Sequence, residues 1–368
     1  MRLHKIILHQ LQMPLKKPFE TSFGVQNDRV FLLVEVHGKE AVGYGEVTVM
    51  AAPFYNEETP QTARHIIKDF LAPLVLNKEI GHPREVTNLF KPIRRNNMAK
   101  SGLEGAIWDL WAKEEGLSLS KALGGVKEKI AVGVSVGIQP SMSDLVEVVG
   151  RYLTEGYRKI KVKIKPGRDL ETVSILRAEF GDIPLMVDAN SAYSLADSDI
   201  FKEMDQYGLM MIEQPLSHDD VIDHRKLQAV IKTPICLDES IHTLDDARQA
   251  IELDSCRIVN IKVGRVGGLQ EVIRIHNYCQ EHKIPVWCGG MLESGVGRAH
   301  NLALSSLPNF TLPGDTSASS RYWDTDIIEP EVMMSSDGYI QVPSGPGIGF
   351  RVVDSQVKRY LINSESII

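Results

Sequence analysis

Lys163, Asp188, Glu213, Asp238 and Lys262 follow one another at gaps of 25, 25, 25 and 24 residues. Each lies near the end of a short apolar run: KIKVKIK, PLMVDAN, LMMIEQP, PICLDES and RIVNIKV. A gap of that size is one strand plus one helix, so the five groups belong at equivalent ends of successive parallel strands. In βα barrels the C-terminal ends of the strands form the active site. A lone lysine at such an end is ordinarily a solvated rim charge. Five charges in series are costly to bury unless they face one another or a ligand.

The signs are ordered as well. Asp188, Glu213 and Asp238 stand between two lysines and can converge on one cation. An oxygen-only donor set favours a hard divalent ion that keeps waters for substrate oxygens to replace. Lys161 and Lys163 are two apart on one strand and point the same way. Lys262 approaches from the other side. A central ion flanked by two lysines suits removal of a proton next to a carboxylate, where positive charge must stabilise what forms. The base must be partly deprotonated near neutral pH, and a neighbouring cation lowers the pKa of a lysine. Lys161 is placed to act so on Lys163, and Arg265 on Lys262. One lysine on each face allows racemisation, or elimination with one lysine as base.

Eight apolar runs alternate with helical segments from about residue 130 to 315, which predicts a (β/α) barrel. Ahead of it, residues 2–12, 30–37 and 41–48 read as a small antiparallel sheet, followed by helices over 58–76, 83–96 and 99–115. Gly124-Gly125 marks a boundary. The expected organisation is an α+β cap over 1–125, a barrel over 126–325 and a C-terminal segment, 326–368, that returns to the cap. Of 368 residues, 43% are hydrophobic and 24% charged, and the net charge is −7. That composition excludes a disordered or collagen-like chain and offers no basic footprint for nucleic acid. No apolar run is long enough for a membrane helix, and the N-terminus lacks a signal-peptide pattern. The four cysteines form no C-x-x-C. A cytoplasmic protein is expected.

Plainer readings stand beside these. Asp188, Glu213 and Asp238 could cap the helices that follow them, and Asp197, Asp219 and Asp220 read better as caps or surface. Lys159 and Lys165 share the parity of Lys163, so a two-residue slip is open. The histidines form no compact ligand set, and His218 and His224, beside an acidic loop, read as solvated. GPGIG at 345–349 is a turn, with no strand–helix context for a dinucleotide fingerprint. GRVGGL at 264–269 is a tight turn before a helix. Trp108 and Trp111 read as core, and Cys288 has no histidine partner and reads as packing. Phe19 and Phe23 fit packing within the cap equally well.

Taken jointly, K-x-K (Lys161, Lys163), VDAN, IEQP, LDES, NIK and GGMLESG resemble the enolase superfamily, in its muconate-lactonizing-enzyme-like subgroup. The resemblance implies chemistry of that kind, a lysine base working with Mg²⁺. The resemblance extends over nearly the whole chain. It implies a (β/α)₇β TIM-like barrel, an α/β fold, with an α+β capping domain completed by the C-terminal segment. Within the subgroup, PFETSFGVQ (18–26), RIVNIKVGRVGG (257–268), PVWCGGMLESGVGRAHNLALSSLPNFTLPGDTSAS (285–319) and GPGIG are similar to o-succinylbenzoate synthases that often double as N-succinylamino acid racemases.

The resemblance implies syn dehydration of 2-succinyl-6-hydroxy-2,4-cyclohexadiene-1-carboxylate for menaquinone biosynthesis. It makes Asp188, Glu213 and Asp238 ligands of Mg²⁺, with Mn²⁺ able to substitute. Lys163 becomes the base, Lys262 the opposite cation, and Lys161 a carboxylate contact. It adds Ser135, Asn190, Gly290, Met291, Glu293 and Arg265 as substrate-side residues, and Phe19, Phe23, Met50 and Tyr55 as cap contacts. The partner is a small-molecule carboxylate, without nucleic acid or membrane, and the assembly, by analogy, a homo-oligomer. Dipeptide epimerases of the subgroup carry an acidic D-x-D at the eighth strand, where this chain has the single Asp315. Mandelate-racemase-like members carry a histidine where Lys262 stands.

Overall fold

The computed structural model describes residues 1–21 and 24–368. Strands β1 (Lys5–Thr21), β2 (Gly24–His37) and β3 (Val42–Val47) form an antiparallel sheet. Alternation along them splits the apolar residues between two faces. Leu32, Val34, Val36 and Val47 bury against the cap helices, whereas Phe31 and Leu33 join the core shared with the barrel. The helix Asn97–Glu114 lies directly on β3. Gly43 and Gly45 permit that approach. A Cβ on Gly45 would come within 2.0 Å of the Gly102 carbonyl oxygen, and one on Gly43 within 2.1 Å of that of Ala106.

The first expected helix is regular only over Pro60–Ile66, then widens to a π turn at Ile67–Leu71 before Ala72–Val75. The second ends at Phe90, not 96. Pro92 has no N–H to continue it, and Arg95 and Asn96 turn left-handed before the next helix.

The strand β4 (Lys129–Ala131) lies outside the barrel sheet, and β5 (Val134–Val136) opens it. β6 (Ile160–Lys163), β7 (Leu185–Asp188), β8 (Ile212–Glu213), β9 (Ile235–Leu237), β10 (Ile258–Ile261) and β11 (Val286–Cys288) continue it. From β5 to β11 they are parallel and adjacent in chain order. The eighth run, NFTLPGD, is an irregular stave: Phe310 bridges Val286 and Gly314 bridges Val132, so it joins both edges of the sheet. Pro308 and Pro313 cannot donate to a ladder, which keeps it from regular pairing. Met186, Met211, Cys236, Ile258 and Trp287 pack together inside the barrel.

After the barrel, β12 (Ile328–Glu329) pairs with β14 (Arg351–Val352), and β13 (Tyr339–Gln341) pairs with β4. Only the last strand, β15 (Leu361–Ile367), joins the cap sheet, along β1.

Candidate active site

Lys163, Asp188 and Glu213 lie in one register across β6, β7 and β8. Glu213 then faces Cys236 on β9, so Asp238 comes from two residues further along, on the same side of its strand. Lys262 follows β10 directly. Buried β-branched neighbours form the strands, and the charged residues occupy positions where alternation turns a side chain into the barrel mouth.

The lysines grip opposite ends of the carboxylate arc. Lys163 Nζ is 2.6 Å from Asp188 Oδ2 and 2.6 Å from Asn190 Oδ1. Lys262 Nζ is 2.7 Å from Asp238 Oδ2. Between them Lys161 Nζ lies 3.3 Å from Asp188 Oδ2, 3.1 Å from Glu213 Oε2 and 2.6 Å from Asp315 Oδ2. Asp188, Glu213 and Asp238 are all fully or almost fully buried.

For Lys262 the electrostatics run against the expectation of a lysine lowered by a neighbouring cation. Burial opposes the charge on Lys161, but Asp315, Glu213 and Asp188 hold its pKa well above the usual value. Lys262 is likewise raised against its burial, by Tyr55, Glu239 and Glu213. Arg265 stands across Asp238 from Lys262. It forms an ion pair with Asp238 Oδ1 and donates to the carbonyls of Ile241 and Asn260. Around Lys161 and Lys262 the acids outweigh the neighbouring cations.

A cavity opens above this arc. Phe19, Met50 and Tyr55 line it from the cap; Ser135, Asn190, Gly290 and Met291 line it from the barrel, with all three lysines. Tyr55 accepts a hydrogen bond from Lys262 Nζ at 3.1 Å, and Asn190 Nδ2 donates to Glu239 at 3.0 Å. Ser135 Oγ is buried, with no hydrogen-bond partner among the described residues. Glu293 is turned away: it accepts from Met291 N and Asn301 Nδ2 and supports the loop that presents Gly290 and Met291. Arg265 faces the cavity indirectly, through Asp238. Phe23 lies outside the described residues.

Gln26, Leu292, Asp315 and Tyr322 also line the cavity. Gln26, Leu292 and Asp315 belong to stretches read as motifs, yet no spacing singled them out; Tyr322 carries no local signal. One correction concerns His224. It is fully buried, accepts from Leu216 N at 3.2 Å and pairs through Nδ1 with Asp220. It lies on the inner face of the helix Ile222–Gln228, and Asp220 caps that helix. Cys288 is buried beneath the glycines, and burial pushes its thiol up to about 12.

The donor set fits a hard divalent ion. Burial and the charge of Asp188 push the Glu213 carboxyl above its usual range, a repulsion that a cation relieves. Among the described residues no three potential ligands stand as a closed cluster, and each of the three acids has a lysine on one oxygen. Asp188, Glu213 and Asp238 would hold the ion, their oxygens exchanging ammonium for metal.

Residues 4–124 match the family Mandelate racemase / muconate lactonizing enzyme, N-terminal domain, and residues 144–356 match Enolase C-terminal domain-like. An o-succinylbenzoate synthase of Geobacillus stearothermophilus is 57% identical over 96% of this chain and 95% of its own length. An N-succinylamino acid racemase of Thermus thermophilus is 49% identical over 95% and 94%. The crystal structure of an enolase-superfamily member from Listeria innocua superposes with a TM-score of 0.97 at 43% identity, covering 100% of this chain and 99% of that one. With both halves matched and the barrel carrying its acids and lysines in this order, the chain belongs to the enolase superfamily, in its muconate-lactonizing-enzyme-like subgroup.

Proposed function

We propose that this chain dehydrates 2-succinyl-6-hydroxy-2,4-cyclohexadiene-1-carboxylate to o-succinylbenzoate, using Mg²⁺ held by Asp188, Glu213 and Asp238. Relatives of the family generally use a divalent metal. The observation that carries the reading is the pair Lys163 and Lys262, each hydrogen-bonded to the outer acid at its own end of the arc. When bound, the ion supplies positive charge to the substrate carboxylate as its α-carbon loses a proton.

Lys163, unprotonated at that moment, takes the proton from the ring carbon that bears the carboxylate. The electrons of that C–H bond form the new ring double bond as the neighbouring C–O bond breaks. Lys163 returns the proton to the departing hydroxyl, which leaves as water from the same face. Lys262 remains an ammonium on the opposite face and offsets the developing negative charge. Lys161 contacts the carboxylate end, and Ser135 Oγ and Asn190 orient the substrate. Phe19, Met50 and Tyr55 exclude water from the cap side.

A second reading uses the same pocket for racemisation of N-succinylamino acids. The matched placement of Lys163 and Lys262 favours it, since one lysine can remove the α-proton and the other deliver one to the opposite face. Asp315 is already paired with two lysines, so this acid is not free to hold a substrate ammonium. That supports an acylated or nitrogen-free substrate.

The cap over 1–125, the barrel over 126–325 and the segment 326–368 are the divisions proposed here, with Glu293 and Arg265 acting behind the contact residues. A cytoplasmic homo-oligomer completes the reading; among the described residues no helix is long and apolar enough to cross a membrane. The test is dehydration by purified protein, followed by ultraviolet absorbance. Turnover abolished by EDTA and restored by Mg²⁺ is expected. Absence of turnover with metal bound would shift the activity to racemisation.

A further inference from the structure

Lys159 is an unexpected residue to find inside a barrel. Its side chain is fully buried, and its ammonium lies 3.4 Å from the centroid of the Trp287 ring. Its carboxylate partner is Asp315, whose Oδ1 is 3.1 Å away. The other oxygen of Asp315 is 2.6 Å from Lys161 Nζ, closer than either Glu213 or Asp188. Asp315 is itself held in place: its N–H donates to the Cys288 carbonyl at 2.8 Å, and the carbonyl of Gly314 accepts from Gly133 N at 2.6 Å. The irregular eighth stave therefore delivers one carboxylate between two lysines on the same side of β6 and its approach.

We propose that Asp315, neutralised from below by Lys159, is the positioning residue for Lys161. It holds that ammonium at the barrel mouth once Asp188 and Glu213 are engaged by the metal ion. The inference rests on the reading of those two acids as metal ligands. Without the ion, Lys161 shares its charge among three carboxylates. With the ion in place, two of them are taken, and among the described residues Asp315 is the remaining carboxylate paired with it. Lacking Asp315, the ammonium has only the metal-site oxygens to turn to and competes with the ion for them. Lys159 makes this arrangement stable in a dry interior, because an unpaired Asp315 or an unpaired Lys159 would each be a costly buried charge.

Asp315→Asn alone strands Lys159 and can fail to fold for that reason. Lys159→Met/Asp315→Asn removes the pair together; methionine fills the stem volume and keeps a contact with the Trp287 ring. Two readouts follow on this double variant and on wild type: Mn²⁺ affinity by calorimetry, and kcat and KM for dehydration. The expected result is a folded protein with Mn²⁺ affinity lowered roughly tenfold and kcat lowered at least as much, as for loss of a hydrogen bond to a charged group. Asp315→Glu, which keeps the charge, should retain more of both than the double variant. A folded double variant with wild-type metal affinity, kcat and KM overturns the proposal. Wild-type protein that binds no Mn²⁺ overturns the metal reading and this inference with it, so the two failures are told apart by the wild-type titration.

Discussion

Lys262 Nζ and the Tyr55 hydroxyl stand 3.1 Å apart, joining the barrel's second lysine to a loop of the cap. That loop is anchored just beyond: the Glu58 carboxylate accepts from Met98 N and Ala99 N at the start of the cap's long helix. The cap thus helps to aim a barrel lysine as well as covering it. Tyr55→Phe keeps the ring, whose centroid is 4.7 Å from the ammonium, and removes only the acceptor. We expect kcat/KM to fall roughly tenfold, the usual scale for a hydrogen bond to a charged group. Steady-state kinetics on both candidate reactions check it.

Arg265 and Lys262 share Asp238, one on each oxygen. Removing the guanidinium leaves the whole carboxylate charge to the lysine and holds it more firmly as an ammonium. Dehydration needs Lys262 only as a cation; racemisation needs it to accept a proton in one direction. Arg265→Gln should therefore lower racemisation more than dehydration, by about tenfold in the ratio of the two kcat/KM values. Equal losses would show that Arg265 acts on the site as a whole.

The spacing of 25 residues is enough to place Lys163, Asp188 and Glu213 side by side, because a strand plus a helix repeats at that length. It is not enough to show that Asp238 is offset by two positions from Glu213, since loops of different length absorb the stagger. The barrel's closing stave escapes periodicity because its prolines break the ladder. The contacts of Asp315 with Lys159 and Lys161, and of Tyr55 with Lys262, join residues far apart in the chain, where neither propensity nor alternation speaks. The sequence also misjudges the charge environment of Lys262, which depends on how closely the acids approach. His224 is misread for a related reason: acidic neighbours suggest solvent, while the helix that carries it turns it inward.

Glu104 belongs to the cap but accepts from Leu269 N and Gln270 N at the start of a barrel helix. Burial pushes its carboxyl up to about 7, against the pull of those two N–H groups. Its folded value is above its unfolded one, so the unfolded chain releases the proton first as pH rises. The stability it contributes is full below about pH 4.5 and is lost as pH climbs through about 7. Glu104→Gln removes that titration. We expect the melting temperature of the variant, relative to wild type, to improve between pH 5 and pH 8; a difference independent of pH would contradict the assignment.

In the proposed site Lys163 and Lys262 act from opposite faces of one bound carboxylate. The direct measurement is deuterium incorporation at the α-carbon of each enantiomer of an N-succinylamino acid in D₂O with Mg²⁺, by proton NMR. Wild type should exchange both enantiomers. Lys163→Ala should lose exchange from one enantiomer and Lys262→Ala from the other, each by at least about a hundredfold. Wild-type exchange of both enantiomers by either variant would contradict the assignment of that lysine as a base.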